Sequence, residues 1–296
     1  MPQAHIPCQY FYDDVGSALF VDITHTRAYY VTRTERAIMQ AHLPSMGLAM
    51  NDLVGGVRTV VELGAGACEK ALPLCRAVTP LRFVGFDVAA AFMARGAQRL
   101  RQAMPWMGVH TVGADILKEL PMPSAVPKAG RLMFYPGTSL GNFLPDVAVR
   151  LLQRMRSIMG AHGGLLLGID LIKPIHLLER AYDDEDGVTA AFNLNALTHV
   201  NHVIEADFDI RHWQHVAEWN PAKQRVEMYL QSMRAQGVRW CGGQRGFKRG
   251  ERILTEFSHK YTIAGIGRLL GHAGMAMHRV WTDPNTHFAV VLARSR

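Results

Sequence analysis

Short apolar runs alternate with segments of helical periodicity through the middle of the chain. Four of these runs are continuously hydrophobic, which is typical of strands buried on both faces: RTVVEL (58–63), RFVGFDV (82–88), RLMFYP (131–136) and GLLLGIDL (164–171). Between them, helices are predicted at 69–78, 90–104 and 146–159. Because strands and helices alternate, we expect an α/β fold with a parallel sheet and helices on both of its faces.

The C-terminal end has a different pattern. Two strand-like runs, HRVWTD (278–283) and HFAVVLAR (287–294), are separated only by the residues PNT. An antiparallel hairpin is therefore predicted to close the otherwise parallel sheet. A class I methyltransferase core has such a hairpin, whereas dinucleotide-binding folds usually lack it. The pattern favours a class I S-adenosylmethionine (SAM)-dependent methyltransferase with a Rossmann-like sheet.

Two segments depart from this alternation. Residues 1–35 are rich in aromatic side chains, and residues 173–260 contain an acidic turn, several His and Trp residues and the strand-like runs RVEMYLQSM and RILTEFSHKY. We expect 1–35 and 173–260 to form a discontinuous substrate-binding lobe, and 36–172 and 261–296 to form the SAM-binding core. The lobe is expected to cap the carboxyl edge of the sheet, where open α/β sheets bind their ligands.

The composition is that of an ordinary globular protein, with 49% hydrophobic and 19% charged residues among 296. The net charge of +7 is spread along the chain, so we expect a solvated basic surface and no nucleic-acid partner. We find no secretion signal and no apolar run long enough to span a membrane, and the 4 cysteines form no C-x-x-C pair. A cytoplasmic, monomeric protein without a membrane partner is expected.

The stretch TVVELGAGACEK (59–70) ends a predicted strand in a Gly-x-Gly loop. A dinucleotide-binding fingerprint needs a third glycine where Glu69 stands, and the Gly-Lys-Ser/Thr of a phosphate-binding P-loop is also absent. Glu62, ahead of Gly64 and Gly66, would repel a diphosphate but suits the sulfonium and ammonium groups of SAM. The loop is therefore predicted to bind SAM.

Acidic residues follow the next two predicted strands. Asp87 lies 21 residues after Gly66, where its carboxylate can accept from both ribose hydroxyls of the cofactor. Asp115 stands in the run VGADIL (112–117), after a further candidate strand between RFVGFDV and RLMFYP, where an acid can accept from the adenine amine. In the alternative, the glycines form a structural turn and the two aspartates cap helices. The combination of Glu62 with both aspartates favours the cofactor site.

The 14 histidines do not indicate a metal site. HVNH (199–202) and HWQH (212–215) place histidines three apart, but they lack an H-E-x-x-H pattern and a third ligand. Cys68 lies near a predicted helix N-terminus, which can lower the pKa of a thiol. Because no partner His or Asp is evident nearby in the sequence, we expect a structural role for Cys68.

Longer motifs make the sequence similar to one known family. They are YFYDDVGSALFVDIT, RAYYVTRTERAI, VELGAGACEK, PGTSLGNF, AYDDEDGVTAAFNLNAL, EADFD, HVAEWN, RVEMYL, ILTEFSHKY and WTDP. Over nearly its whole length the chain resembles the SAM-dependent histidine Nα-methyltransferases of ergothioneine biosynthesis. The resemblance implies a methyltransferase core and a substrate lobe formed from the N-terminus and an insertion.

The resemblance also implies substrate-binding residues. Tyr29 and Tyr182 would bind the α-carboxylate of histidine, Glu256 and Ser258 would bind the imidazole nitrogens, and Met228 would pack on the ring. A neutral imidazole offers one donor and one acceptor, which a carboxylate and a hydroxyl can satisfy. Residues two apart on a strand share a face, so Glu256 and Ser258 can act together. This favours histidine over tryptophan or tyrosine.

Further implied roles concern the reacting amine and the cofactor. As catalytic residues, Asn142 would hold the α-amino group through its carbonyl oxygen, with Gly137 nearby, and Tyr12 would shelter the methylated nitrogen. An amide leaves the amine neutral, whereas a carboxylate would favour the unreactive ammonium. The family's cofactor positions correspond to Gly64, Lys70, Asp87 and Asp115.

Together these roles predict an enzyme that trimethylates the α-amine of free L-histidine to give Nα,Nα,Nα-trimethylhistidine (hercynine). Two alternatives stay open. One keeps the fold and cofactor but takes another aromatic amino acid or a histidine derivative, and the other is a non-catalytic protein that binds SAM or an amino acid. Departures from the family pattern leave room for a different amine or methylation state, and they fall at Val31, Cys68, Pro136 and His259.

Overall fold

The computed structural model describes residues 3–118 and 120–296. The described residues form thirteen strands: β1 (Ala4–His5), β2 (Thr59–Leu63), β3 (Arg82–Asp87), β4 (Gly108–Gly113), β5 (Arg131–Tyr135), β6 (Gly164–Asp170), β7 (Trp213–Asn220), β8 (Arg225–Ser232), β9 (Gln236–Trp240), β10 (Gly243–Phe247), β11 (Arg252–His259), β12 (Met275–Thr282) and β13 (Phe288–Ser295). The same residues form eight α-helices: α1 (Asp14–His25), α2 (Tyr30–Val54), α3 (Ala71–Val78), α4 (Ala90–Ala103), α5 (Pro145–Met159), α6 (Ile175–Tyr182), α7 (Val188–Ile204) and α8 (Ile263–His272).

The chain divides into two compact units. Unit 1 consists of residues 3–30 and 173–259, and unit 2 consists of residues 31–172 and 260–296. Residues 31–35 lie in unit 2 because they belong to α2, although we expected them in the lobe. Lys260 lies in unit 2 as well. The assignment of substrate binding to unit 1 stays a prediction.

Unit 2 contains a seven-stranded sheet in the order β12-β13-β6-β5-β2-β3-β4. The strands from β6 to β4 in this order are parallel, whereas β13 runs antiparallel to both β6 and β12. The four predicted parallel strands are confirmed to within one residue at each end, and so is the existence of the C-terminal hairpin. Because β2 is flanked by β3 and β5, the loop after β2 lies at the topological switch point of the sheet.

The helices predicted at 69–78, 90–104 and 146–159 are confirmed as α3, α4 and α5. α5 begins with Pro145 and Asp146, a fixed φ and a negative charge that both favour a helix start. Gly160 ends it with a φ of 73°. Every residue of β2, β5 and β6 is buried, so these strands form the centre of the core. None of the described helices is long and apolar enough to cross a membrane.

Unit 1 contains a four-stranded sheet in the order β1-β11-β8-β7 and a separate β9–β10 hairpin. The predicted strands RVEMYLQSM and RILTEFSHKY form β8 and β11, which pair antiparallel. Leu197 and Val200 of α7 pack with Leu230 and Ile253 of the sheet in one apolar cluster. The sheet and α7 therefore share one hydrophobic core, which fixes the strands of unit 1 that carry predicted substrate-binding residues.

Candidate functional site

The loop that follows β2 has a backbone conformation that suits glycine. Gly64 and Gly66 have φ values of 65° and 47°, in the left-handed region. A Cβ built on either residue would meet no atom within 4 Å, so there is open space beside both backbones. The loop can therefore receive a ligand in close contact with its main chain, at the switch point of the sheet.

Two aspartates stabilise the loops beside this position. Asp87 accepts from the amide of Gly66 through Oδ2 and from the amide of Ala89 through Oδ1, both at 2.8 Å. Asp115 accepts from the amide of Leu117 at 2.9 Å. These bonds are those of the turn-and-cap alternative, but each carboxylate oxygen has a further lone pair for a ligand donor. The contacts of Asp87 and Asp115 with SAM stay predictions.

Glu62 is a buried carboxylate near the end of β2, with only 2% of the residue exposed. Its Oε2 has no hydrogen-bond partner among the described residues. Burial raises the pKa of Glu62 well above its ordinary value of 4.5; Lys70 opposes this rise, and Asp87 and Glu35 add to it. An unsatisfied carboxylate oxygen among acidic neighbours suits a cationic ligand. The site therefore fits the sulfonium and ammonium groups of SAM.

Glu35 of α2 joins two residues with different predicted ligands. Its Oε2 lies 2.6 Å from Nζ of Lys70, and its Oε1 accepts from the amide of Gly137 at 2.8 Å. The Glu35 side chain is 3% exposed, whereas that of Lys70 is 36% exposed. One buried carboxylate therefore holds the residue that follows the glycine loop and the residue that opens the segment after β5.

A cleft of about 400 Å³ lies beside this ion pair, along α2 and the start of α3. Its lining residues are Thr32, Glu35, Arg36, Met39, Gln40, Leu43, Glu69, Lys70 and Pro73. The side chain of Lys70 is partly exposed in the cleft, and its ammonium has more N–H donors than the single bond to Glu35 uses. Lys70 is therefore free to bind an anionic ligand group as well.

Gly137 and Asn142 lie on one segment after β5. Gly137 has a φ of 75°, and a short 3-10 turn ends at Asn142, which is half-buried. The amide of Asp170 donates to Oγ1 of Thr138 at 3.3 Å, which attaches this segment to the end of β6. Asp170 also forms a fully buried ion pair with Lys260, at 2.9 Å. The two residues predicted for the amine are thus presented by one anchored turn.

In unit 1, aromatic packing brings the two predicted carboxylate ligands together. The ring centroids of Tyr29 and Tyr182 are 6.3 Å apart in an edge-to-face arrangement. Phe20 packs against Tyr29 at 6.5 Å and against Tyr12 at 6.0 Å, and Tyr12 also lies 6.0 Å from Phe192. Tyr12, Tyr29 and Tyr182 therefore belong to one aromatic cluster, in which their rings also contribute to packing.

His215 of β7 holds the backbone at Tyr182. Its Nε2 donates to the carbonyl oxygen of Tyr182 at 2.7 Å, so its Nδ1 accepts from Nδ2 of Asn193 at 2.8 Å. Burial lowers the pKa of His215 below its ordinary value of 6.5, although the bond to Tyr182 and the charges of Asp183 and Asp184 act in the opposite direction. The imidazole is therefore neutral at physiological pH and acts as a fixed link.

The three predicted imidazole-binding residues share one face of the unit 1 sheet. Met228 of β8 lies directly opposite Glu256 of β11, and Ser258 follows two residues later. A bulge at Thr255 shifts the register before Glu256, but no shift separates Glu256 from Ser258, so both point to the same side. Met228 and Ser258 are 2% and 1% exposed, and Glu256 is half-buried.

The opposite face of this sheet carries a buried charge network centred on Glu227. Its Oε1 accepts from Nε of Arg225 at 2.7 Å, and its Oε2 accepts from Oη of Tyr229 at 2.7 Å and from Nδ2 of Asn220 at 3.1 Å. Burial alone would raise the pKa of Glu227, but the hydrogen bonds outweigh it and lower the pKa from 4.5 to about 2. This network stabilises β8 next to Met228.

Comparison with known proteins decides the family. The profile of the family described as "Histidine-specific methyltransferase, SAM-dependent" matches residues 1–295. The chain belongs to this family. Two curated relatives, each named histidine N-alpha-methyltransferase, are 37% identical to this methyltransferase over 97% of its length and 89% of theirs; one is from Mycobacterium tuberculosis and the other from Mycolicibacterium smegmatis.

Solved structures support the fold of this histidine-specific methyltransferase family member. A SAM-dependent methyltransferase from Clostridium acetobutylicum superimposes with a TM-score of 0.53 at 12% sequence identity, over 96% of this chain and 99% of that one. The class I methyltransferase fold predicted from the sequence is therefore confirmed, and the methyltransferase uses SAM.

The electrostatics of Cys68 in this methyltransferase are set by burial and acidic neighbours. A helix N-terminus can lower the pKa of a thiol, but here burial, Glu62 and Asp87 raise it to about 12. The thiol is buried and protonated, which agrees with the structural role expected for it.

Among residues 3–118 and 120–296, no three His, Cys, Asp or Glu side chains are grouped to hold a metal ion.

Sequence reasoning did not find Glu35 or His215. Glu35 stands in the motif RAYYVTRTERAI, and His215 stands at the start of HVAEWN, so both were inside segments that carry the resemblance. The available signal concerned Glu35, an acidic residue within a family motif to which the resemblance assigned no ligand. Neither position could be distinguished from an exposed polar residue without the contacts that the fold creates.

Proposed function

We propose that this methyltransferase transfers methyl groups from SAM to the α-amine of free L-histidine, three in succession, giving Nα,Nα,Nα-trimethylhistidine as a step of ergothioneine-type biosynthesis. The observation that carries the proposal is the shared face of Met228, Glu256 and Ser258, in which a carboxylate and a hydroxyl stand beside an apolar side chain. We further propose that the enzyme acts in the cytoplasm as a monomer, on an amino acid and without a nucleic-acid or membrane partner.

The imidazole of histidine suits this face. A neutral imidazole has one donor and one acceptor nitrogen, and Glu256 can accept while Ser258 donates. An indole offers one N–H donor and no acceptor, and a phenyl ring offers neither, so neither ring satisfies both Glu256 and Ser258; a site built around polar partners rejects analogues that lack them. Met228, opposite Glu256, provides the polarisable surface against which the ring would pack.

The carboxylate of the substrate is assigned to Tyr29 and Tyr182. Their ring centroids are 6.3 Å apart, and this proximity supports a shared role in which two phenol donors bind the carboxylate without a cation. Because tyrosine hydroxyls are neutral donors, they would fix the orientation of the amino acid without neutralising its carboxylate. Tyr12, in the same aromatic cluster, is assigned to shelter the methylated nitrogen through its ring face.

The reacting amine is assigned to Asn142, with Gly137 beside it. When bound, SAM supplies an activated methyl group on a sulfonium. The chain's task is therefore to hold a neutral nitrogen lone pair in line with that methyl group. The amide oxygen of Asn142 can accept a hydrogen bond from the neutral amine. A carboxylate in its place would instead stabilise the unreactive ammonium form. The proton lost from nitrogen between transfers goes to solvent or buffer.

The cofactor is assigned to unit 2. The residues proposed to hold it are Glu62, Gly64, Gly66, Lys70, Asp87 and Asp115. The unsatisfied Oε2 of Glu62 and the open space beside Gly64 and Gly66 support this assignment. Lys70 is proposed to pair with the carboxylate of SAM, because it is a partly exposed cation of the adjoining cleft and stands next to the glycine loop in the sequence.

The repeated transfer is tested with the methylated intermediates. Purified enzyme is given SAM and either Nα-methylhistidine or Nα,Nα-dimethylhistidine, and the products are identified by mass spectrometry. Conversion of both compounds to trimethylhistidine is expected. Failure to consume the monomethyl compound would limit the activity to a single transfer, and consumption of neither compound nor histidine would point to the alternative substrates.

A further inference from the structure

Glu35 is the one carboxylate in the described part of unit 2 that contacts both Lys70 and the segment after β5. Both of its oxygens are engaged, one with Nζ of Lys70 at 2.6 Å and the other with the amide of Gly137 at 2.8 Å. The side chain is 3% exposed. The two partners lie 35 and 102 residues away in the sequence, so this arrangement exists only in the folded chain.

The space around Glu35 is shaped to keep its carboxylate in place. A Cβ added at Gly168 of β6 would lie 2.2 Å from Oε1 of Glu35 and 2.4 Å from the carbonyl oxygen of Gly137. A Cβ added at Gly137 would lie 3.6 Å from Nζ of Lys70. Position 168 therefore admits only glycine, and the carboxylate, the ammonium and the Gly137 backbone form one tightly packed group.

An ion pair between a buried carboxylate and a partly exposed ammonium is weak evidence for stability, because desolvation of Glu35 and solvent around Lys70 offset most of the Coulomb attraction. Its geometry is nevertheless specific. Lys70 follows the glycine loop directly, and Gly137 precedes the turn that presents Asn142. A displacement of either segment must lengthen a bond to Glu35 or carry the other segment with it.

We propose that Glu35 is a positioning residue that couples the cofactor loop to the segment that holds the reacting amine. The inference rests on the proposed function, in which Lys70 contacts SAM and Gly137 lies beside the substrate amine. Glu35 touches neither ligand in this account and acts through Lys70 and Gly137. Binding of one ligand orders the shared carboxylate, and the other ligand then meets a segment that is already in place.

Coupling of this kind is reciprocal and can be measured as a ratio of dissociation constants. Isothermal titration calorimetry is used with S-adenosylhomocysteine, the unreactive demethylated cofactor, so that no turnover occurs. Its Kd is measured with and without saturating L-histidine, and the Kd of L-histidine is measured with and without the cofactor analogue. For the wild type we expect each ligand to lower the Kd of the other by about fivefold or more.

E35Q is the informative variant because it nearly preserves volume and can still accept from the Gly137 amide, but it loses the charge that pairs with Lys70. In E35Q, the ratio of the Kd without the second ligand to the Kd with it is expected to fall to within about twofold of one, whichever ligand is titrated. D52N is the matched control, since it neutralises an exposed acid of the same helix. D52N should keep the wild-type ratio. If E35Q does not unfold cooperatively, K70M breaks the same pair from its other side, and the same fall is expected.

Three results would overturn the inference in distinguishable ways. A wild-type ratio of one with both ligands bound rejects the coupling alone. A wild-type ratio retained in E35Q, or in K70M, rejects the role of Glu35 alone. Absence of histidine binding to the wild type, with the cofactor analogue still bound, rejects the proposed function and this inference together.

Discussion

Met228 on β8 lies directly opposite Glu256 on β11, so an apolar and an acidic side chain stand side by side on one face of the unit 1 sheet. Cross-strand neighbours of this kind have Cβ atoms about 5 Å apart, close enough to contact the same small ring. Ser258 extends the face by one further position in the same direction. The three residues proposed to determine the substrate specificity of the methyltransferase therefore have relative positions that are set by strand register.

The first prediction concerns Glu256. E256A is expected to weaken histidine binding by roughly 10- to 100-fold, because a hydrogen bond to a charged group contributes about 1.5–3 kcal/mol. Binding of the cofactor should be unchanged, since Glu256 belongs to unit 1 and the cofactor is assigned to unit 2. Calorimetry with each ligand separately checks this. Equal weakening of both ligands would show that Glu256 has another role.

The second prediction concerns Tyr29 and Tyr182. Y29F and Y182F each remove a donor assigned to the substrate carboxylate, so kcat/KM for histidine should fall roughly tenfold or more. Activity on histamine, which lacks the carboxylate, should be low in the wild type and should not fall further in the variants. Y10F is a suitable control in the same unit. An equal fall for histidine and histamine would indicate that the hydroxyls serve only the packing of the aromatic cluster.

The third prediction concerns pH and His215. Its pKa is lowered in the folded chain, so below about pH 6.5 the unfolded chain binds a proton that the folded chain does not. The free energy of unfolding should therefore fall as the pH drops from 7 to 5, by at most about 1.4 kcal/mol per pH unit from this residue. H215Q, which can still donate to the carbonyl oxygen of Tyr182, should show a shallower dependence. Urea unfolding at several pH values measures it, and identical slopes would contradict the account.

The fourth prediction concerns the Glu227 network. Its pKa of about 2 lies below the ordinary 4.5, so its contribution to stability is present above about pH 4.5 and is lost as the pH falls toward 2. At pH 7, E227Q leaves Arg225 buried without its closest counter-charge, which should destabilise the protein by about 3–5 kcal/mol. D146N, at an exposed ion pair of α5, should barely change the unfolding midpoint. A small effect of E227Q at neutral pH would mean that the network is not a stabilising one.

The parts of the fold that could be predicted from the sequence are those with a local cause. β2, β5 and β6 are buried at every position, and their continuous apolar runs carry that signal directly. α2 was not predicted, because Pro44 interrupts its pattern and its buried positions include a polar residue, Glu35. The β9–β10 hairpin also has too few apolar residues for a recognisable alternation.

The residues of the candidate site also divide into those that the sequence indicates and those that it does not. Gly64, Asp87, Glu256 and Ser258 stand in compact motifs whose spacing indicates their neighbours, and the resemblance supplied their expected ligands. The bond from Glu35 to Gly137 spans 102 residues, and the bond from His215 to Tyr182 spans 33. Contacts at such separations arise from tertiary packing, so no local pattern in one sequence indicates them.

The most direct test of the central claim is mass spectrometry of a reaction that contains the purified protein, SAM and all twenty free amino acids. Histidine alone should gain three methyl groups, which would establish the substrate, the reaction and the repeated transfer together. Methylation of a different amino acid, with histidine unchanged, would contradict the roles given to Glu256 and Ser258 while leaving the fold and the cofactor intact.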